Sequence, residues 1–131
     1  MACLDSSFII DLFRGEIRAS NIKEELERTG ELLFIPSPVI MELASGAHRS
    51  VRTNIEKQKI KQFLSENSVL NFDAESAFRA GEIEAELEQK GQIIDSEDIM
   101  IGAIALQNNE SIITRNVKHF EKIKGLEIKA Y

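Results

Sequence analysis

Three acidic residues, Asp5, Glu42 and Asp98, occupy positions where a carboxylate has chemistry to do. Asp5 closes the short apolar run MACLD, Glu42 lies one turn into the segment that follows LLFI and two prolines, and Asp98 opens the wholly apolar stretch IMIGAIAL. An acid that ends an apolar strand gains little there unless it binds something or caps the next helix. If the three meet, their like charges raise one another's pKa unless a cation sits between them. With one cysteine, Cys3, and two histidines, His48 and His119, the chain has no thiolate set for a soft metal. The donors are hard oxygens, which suit Mg²⁺ or Mn²⁺.

Each acid also has an ordinary use. Asp98 stands three residues after Asp95, the spacing of a helix N-cap and its reciprocal partner. Glu42 falls off the apolar stripe of its own segment, as a boundary residue does. Asp11 falls off the Phe8/Leu12 stripe and reads as surface, His119 reads as a solvent-facing histidine, and Glu82, Glu84, Glu86 and Glu88 read as one solvated face. Ser6 and Thr114 offer hydroxyls that orient carboxylates or a bound water, or merely cap helices.

The elements that must position these residues follow from periodicity. Residues 1–5 read as a strand, and SSFIIDLF as a helix capped by Ser6 or Ser7 and closed by Gly15. Residues 17–29 make a second helix with Ile22 and Leu26 inward, ended by Gly30. LLFI at 32–35 is a strand, and Pro38, with Ser37 as cap, opens a helix striped by Val39, Ile40, Leu43, Ala44 and Ala47. Residues 51–65 form a charged helix, SVLNF at 68–72 a strand and 74–90 a long helix ended by Gly91. IMIGAIAL at 99–106 is apolar on all sides and predicts a helix inside the core. SIIT at 111–114 is a buried strand, and LEIKAY at 126–131 alternates like an edge strand. Short apolar strands alternating with helices predict a three-layer α/β/α sandwich around a mostly parallel sheet, with ligands beyond the carboxyl ends of the strands.

Composition bounds the rest. The 131 residues, 43% hydrophobic and 29% charged, suit one ordinary folded domain and exclude collagen-like, disordered and disulfide-rich classes. No apolar run approaches the roughly 18 residues of a membrane span, and no leader pattern opens the chain, so a cytoplasmic protein is expected. A net charge of -6 opposes nucleic acid as a partner at first sight. Its distribution is uneven: residues 48–72 carry five basic groups against two acidic, and residues 73–98 two against nine. A local cationic groove then depends on whether Arg49, Arg52, Lys57 and Lys61 face the same side as Arg115 and Lys118.

LDSSFIIDL, PSPVIMEL and GQIIDSEDIMIGAIAL followed by IITRNVKHFEKIKGLEI resemble the successive blocks of the PIN domain, in particular the VapC-type toxins, in order over nearly the whole chain. The resemblance implies a Mg²⁺- or Mn²⁺-dependent ribonuclease, a homodimer, and a cognate antitoxin as inhibitor. It places the family's first three acids on Asp5, Glu42 and Asp98, and it makes RNA the substrate, whose backbone Arg115 and Lys118 would neutralise. The fourth position departs: Asn116 stands where many relatives carry an acid, which leaves a second metal in doubt and, as alternatives, a catalytically weak or inactive RNA-binding module or a PIN nuclease of RNA processing outside a toxin-antitoxin pair. Two other folds with acids at strand ends fit poorly. A phospho-accepting receiver domain needs paired acids and a later lysine, and a phosphatase of the haloacid dehalogenase type needs a second Asp two residues after the first, where Ser7 stands.

Overall fold

The computed structural model describes all 131 residues. In chain order the elements are β1 (Ala2–Leu4), α1 (Ser6–Phe13), α2 (Ile17–Arg28), β2 (Leu33–Pro36), α3 (Ser37–Arg49), α4 (Thr53–Glu66), β3 (Ser68–Leu70), α5 (Ala74–Gln89), α6 (Ser96–Gln107), β4 (Ser111–Thr114), α7 (Val117–Phe120) and β5 (Ile128–Ala130). All strand pairs are parallel, in the order β3-β2-β1-β4-β5. Consecutive strand residues face opposite sides of a sheet, and Ala2, Cys3 and Leu4 are all buried, so both faces of the central strand are covered. This is the expected α/β/α sandwich.

The strand order creates the crevice. From β1 the chain crosses to β2, and from β4 it crosses to β5 at the opposite edge. The two connections diverge, which opens a gap beyond the carboxyl ends of the neighbouring strands β1 and β4. Register sets Leu4 of β1 opposite Ile113 of β4, so the residues next in line, Asp5 and Thr114, arrive at the gap together.

The local chemistry agrees with most of the elements expected. Gly15 and Gly30 adopt φ of +72° just after α1 and α2, a conformation costly for any residue with a Cβ, and there the chain leaves each helix. Along α6, Ile99, Ile101, Gly102, Ala103, Ile104 and Ala105 are all buried, the all-round burial that its sequence demanded. The helix lies against α5, α3 and β4. β5 is the edge strand, paired with β4.

The caps differ from expectation. Asp5, not a serine, is the N-cap of α1, and its carboxylate makes no cap bond. Both serine hydroxyls point to carboxylates instead. Ser37 is the first residue of α3, and its hydroxyl accepts from the Phe72 backbone N–H at 2.9 Å, tying α3 to the segment after β3. The short helix α7 carries no periodic signal in four residues. Its anchor is Phe120, which is fully buried in the core. Ile17 is 72% exposed, since α1 ends at Phe13 and Gly15 turns the chain before it.

Because Phe120 holds α7 against the sheet, Phe120→Ala should destabilise the protein by about 3–5 kcal/mol, through lost burial and an unfilled cavity. Equilibrium denaturation in urea checks this.

Candidate metal and catalytic centre

Asp5 sits where β1 becomes α1 and is 1% exposed. Its N–H donates to the Ile113 carbonyl at 3.1 Å, and its carbonyl accepts from Phe8 and Ile9, so the backbone is held by both elements. One carboxylate oxygen, Oδ2, accepts from Ser7 Oγ at 2.8 Å and Thr114 Oγ1 at 2.7 Å. The other, Oδ1, is buried and has no donor.

Glu42 reaches the same place from α3. Its Oε2 accepts from Ser6 Oγ at 3.1 Å, and its Oε1 is buried without a donor. Burial raises its pKa to about 7; the Ser6 hydrogen bond opposes this, and the charges of Asp5, Asp98 and Glu97 add to it. Asp98 comes from the first turn of α6 and is 8% exposed. Burial likewise raises its pKa, against the stabilising hydrogen bond from His119 and with the charge of Asp5 pushing the same way. Each of Glu42 and Asp98 thus feels Asp5, and Glu42 feels Asp98: residues 37 and 93 positions beyond Asp5 in the chain share one electrostatic site.

The capping use of these acids is not realised. Asp95 is the N-cap of α6, yet no side-chain cap bond forms there, so Asp98 is not half of a capping box. Its Oδ2 lies 2.7 Å from His119 Nδ1 instead. His119 keeps 44% of its side chain open to solvent while making this contact. Asp95, Asp98 and His119 each bring a ligating atom within 4.8 Å of the others, a group whose spacing, 3 and 21 residues apart, gave no local signal.

Asp11 is not a surface residue. It is 4% exposed, and its two oxygens accept from Arg115 Nη1 at 3.0 and 3.1 Å, with the Tyr131 hydroxyl on Oδ2 at 2.7 Å. These partners lie 104 and 120 residues away, beyond the reach of any helical pattern. Asn116 and Lys118 are exposed. Asn116 joins the site through its backbone N–H, which donates to Thr114 Oγ1 at 2.9 Å. Arg115 has half of its side chain exposed, and its inner end is engaged by Asp11.

The donor set fits a divalent cation. Two carboxylate oxygens, Asp5 Oδ1 and Glu42 Oε1, are buried without a hydrogen-bond donor, an arrangement costly for a carboxylate unless a cation supplies the missing partner. Hard oxygen ligands of this kind select Mg²⁺-like ions, and a nearby imidazole extends the range to transition metals.

A buried acidic pocket at the switch point of a parallel sheet is what the PIN domain presents, and that family's sequence profile matches residues 2–126. The chain belongs to the PIN domain family, and within it to the VapC-type branch. It is 35% identical over 102 residues to ribonuclease VapC2 of Rickettsia felis, covering 78% of this chain and 76% of that one. It is 30% identical over 117 residues, 89% of each chain, to the tRNA(fMet)-specific endonuclease VapC of Salmonella typhimurium. Among solved structures, the VapBC2 complex of Rickettsia felis bound to a promoter DNA fragment superposes with a TM-score of 0.91, at 29% identity and covering 99% of this chain and 98% of that one. The DNA-bound VapBC of Salmonella typhimurium does so with a TM-score of 0.87 at 30% identity, again covering 99% and 98%.

The raised pKa of Glu42 has a thermodynamic sign. Between the ordinary value of 4.5 and about 7 the folded protein holds a proton that the unfolded chain has released, so folding stability must fall as pH rises through this window. Above about 7 this group contributes no further slope. In EDTA, the melting temperature should therefore decline from pH 5 to pH 7.5, and Glu42→Gln should flatten that decline; thermal scans across the range decide it.

Proposed function

We propose that this protein is a metal-dependent ribonuclease of the toxin type, with Asp5, Glu42 and Asp98 as metal ligands and catalytic residues and Mg²⁺ or Mn²⁺ as the ion. The observation that carries this reading is the pair of buried carboxylate oxygens without donors, Asp5 Oδ1 and Glu42 Oε1. The names of its relatives, ribonuclease and endonuclease, support the choice of RNA over other phosphodiesters. A bound divalent ion supplies an activated water and neutralises phosphate charge.

The chain's own residues do the rest. Ser7 and Thr114 fix the orientation of Asp5, Ser6 holds one oxygen of Glu42, and His119 holds one oxygen of Asp98. Preset ligands lose little entropy when the ion and substrate arrive, and that is worth orders of magnitude in rate. Lys118 is exposed and is the cation available to the entering strand, while the guanidinium of Arg115 is engaged by Asp11. Asn116 contributes an amide rather than a fourth charge, so the reading requires one firmly held ion.

The partner in this reading is a cognate antitoxin, since several structural neighbours are toxin-antitoxin complexes, and the toxin acts as a homodimer in the cytoplasm. A groove of about 380 Å³ between α1, α3 and α4, lined by Ile10, Phe13, Leu43, Ala47 and Ile60, opens beside Glu42. An apolar peptide segment placed there brings a following cationic side chain to the acids, where an arginine pairs with the carboxylates in place of the metal.

The experiment is direct. Purified protein should cleave a generic RNA in Mg²⁺ or Mn²⁺ and stop in EDTA. Asp5→Asn should lower the rate at least 10³-fold, roughly the loss expected when an essential electrostatic group is removed, with the melting temperature within a few degrees of the parent. A fully active Asp5→Asn protein removes the mechanism.

A further inference from the structure

Asp11 presents a buried charge outside the pocket just described. Its side chain is 5% exposed, and a carboxylate so placed is stable only with partners of its own. Those partners are Arg115 Nη1, within 3.1 Å of both oxygens, and the Tyr131 hydroxyl at 2.7 Å. The Tyr131 ring packs edge-on against Phe8, with centroids 5.2 Å apart, so the phenol is fixed by α1 as well. Burial and the Asp11 carboxylate both push the Tyr131 phenol upward, which keeps its proton in place for donation.

Ser7 and Asp11 are one helical turn apart on α1, on one face. Arg115 spans that turn: its guanidinium reaches Asp11, while its backbone N–H donates to Ser7 Oγ at 3.2 Å. The Ser7 hydroxyl in turn donates a hydrogen bond to Asp5 Oδ2. The next backbone N–H, of Asn116, donates to Thr114 Oγ1, whose hydroxyl also donates to Asp5 Oδ2. Two consecutive amides thus orient the two hydroxyls that set the carboxylate of Asp5. An arginine that left to meet phosphate would strip a buried carboxylate of its charged partner and loosen the strand end that carries both amides.

We propose that Asp11, Arg115 and Tyr131 form a clamp that positions Asp5 through the backbone of residues 114–116, with Arg115 a positioning residue and not a contact to the RNA backbone. The consequence for the reaction rests on the nuclease reading above; the clamp itself does not. The two roles of Arg115 have opposite signatures. Asp11→Asn removes a negative charge near the site, so if Arg115 binds phosphate, freeing it should lower KM. If Arg115 positions, the same change should lower kcat.

The test uses Asp11→Asn and Arg115→Ala in the full chain, with two readouts. Amide hydrogen exchange, followed by NMR without RNA or metal, should quicken on the order of tenfold at Arg115 and Asn116 while Ile112 and Ile113 keep their protection. In cleavage of a generic RNA with Mn²⁺, kcat should fall about 10- to 100-fold, the scale of an ångström-sized misplacement, with KM within about twofold of the parent. The two changes together should cost no more than either alone, since both break one unit. Unchanged exchange at residues 115 and 116 overturns the clamp. So does a raised KM for Arg115→Ala with its salt slope reduced by about one, the mark of a lost phosphate contact. If Asp11→Asn does not fold, Tyr131→Phe, which deletes one hydroxyl, carries the same exchange test. If the parent cleaves no RNA at all, the nuclease reading falls while the exchange data still decide the clamp.

Discussion

Negative charge buried without enough hydrogen-bond donors is the constraint around which the molecule is organised. Asp5 follows the central strand and Asp98 lies in the first turn of α6, both nearly inaccessible to solvent, while Glu42 is half-buried on α3. In an ordinary core such groups would be replaced by apolar side chains, because desolvating a carboxylate costs more than any surface pairing returns. They are kept, and two of their oxygens are left unpartnered. Burial pushes the pKa of both Glu42 and Asp98 upward, the direction that disfavours their charged forms. A cation held by the proposed ligands would relieve this cost of burial and draw its affinity from that relief.

The hydrogen bonds around the acids divide their oxygens into two kinds. Asp5 Oδ2 accepts from two hydroxyls, Glu42 Oε2 from one, and Asp98 Oδ2 faces His119. Each acid has one oxygen tied to the protein, and for Asp5 and Glu42 the other stays free. The tie sets direction and would leave the free oxygen available to a cation, the arrangement by which outer partners orient the ligands of a metal. Ser6 and Ser7, adjacent on α1, donate to different acids, Glu42 on α3 and Asp5 after β1, and so couple the two.

What could be read along the chain was whatever has a short period. Every strand and six of the seven helices follow from apolar runs, from stripes, or from glycines such as Gly15 and Gly30 that occur where φ must be positive. Asp5 was legible because β1 ends on it, and Asp98 because an apolar helix begins beside it. The roles of Asp11, His119 and Tyr131 were not, since each depends on a partner 21 to 120 residues distant, brought near only by the parallel crossovers. Ser7 misled for a related reason, while Ser6 takes the first of its two expected roles, orienting a carboxylate rather than capping. Hydroxyls at a helix start usually serve the helix, and here the carboxylates outcompete the backbone N–H groups because a charged acceptor makes the stronger bond. α7 went unseen because four residues are too few to show a period, and only burial of Phe120 makes the segment helical.

The overall charge of -6 finds its place in the same terms. A polyanion approaching this pocket meets buried carboxylates first, and without a cation it is repelled. A bound divalent ion would offset two of those charges while leaving the rest of the surface acidic, so repulsion at the crevice would fall without the local sign reversing. A protein partner that brings its own cation to the acids competes for the same field, and needs no contact with the chemistry to stop it. In the proposed reading, substrate, metal and inhibitor would all answer to the charge of Asp5, Glu42 and Asp98, and the cation that balances it would decide access to the site.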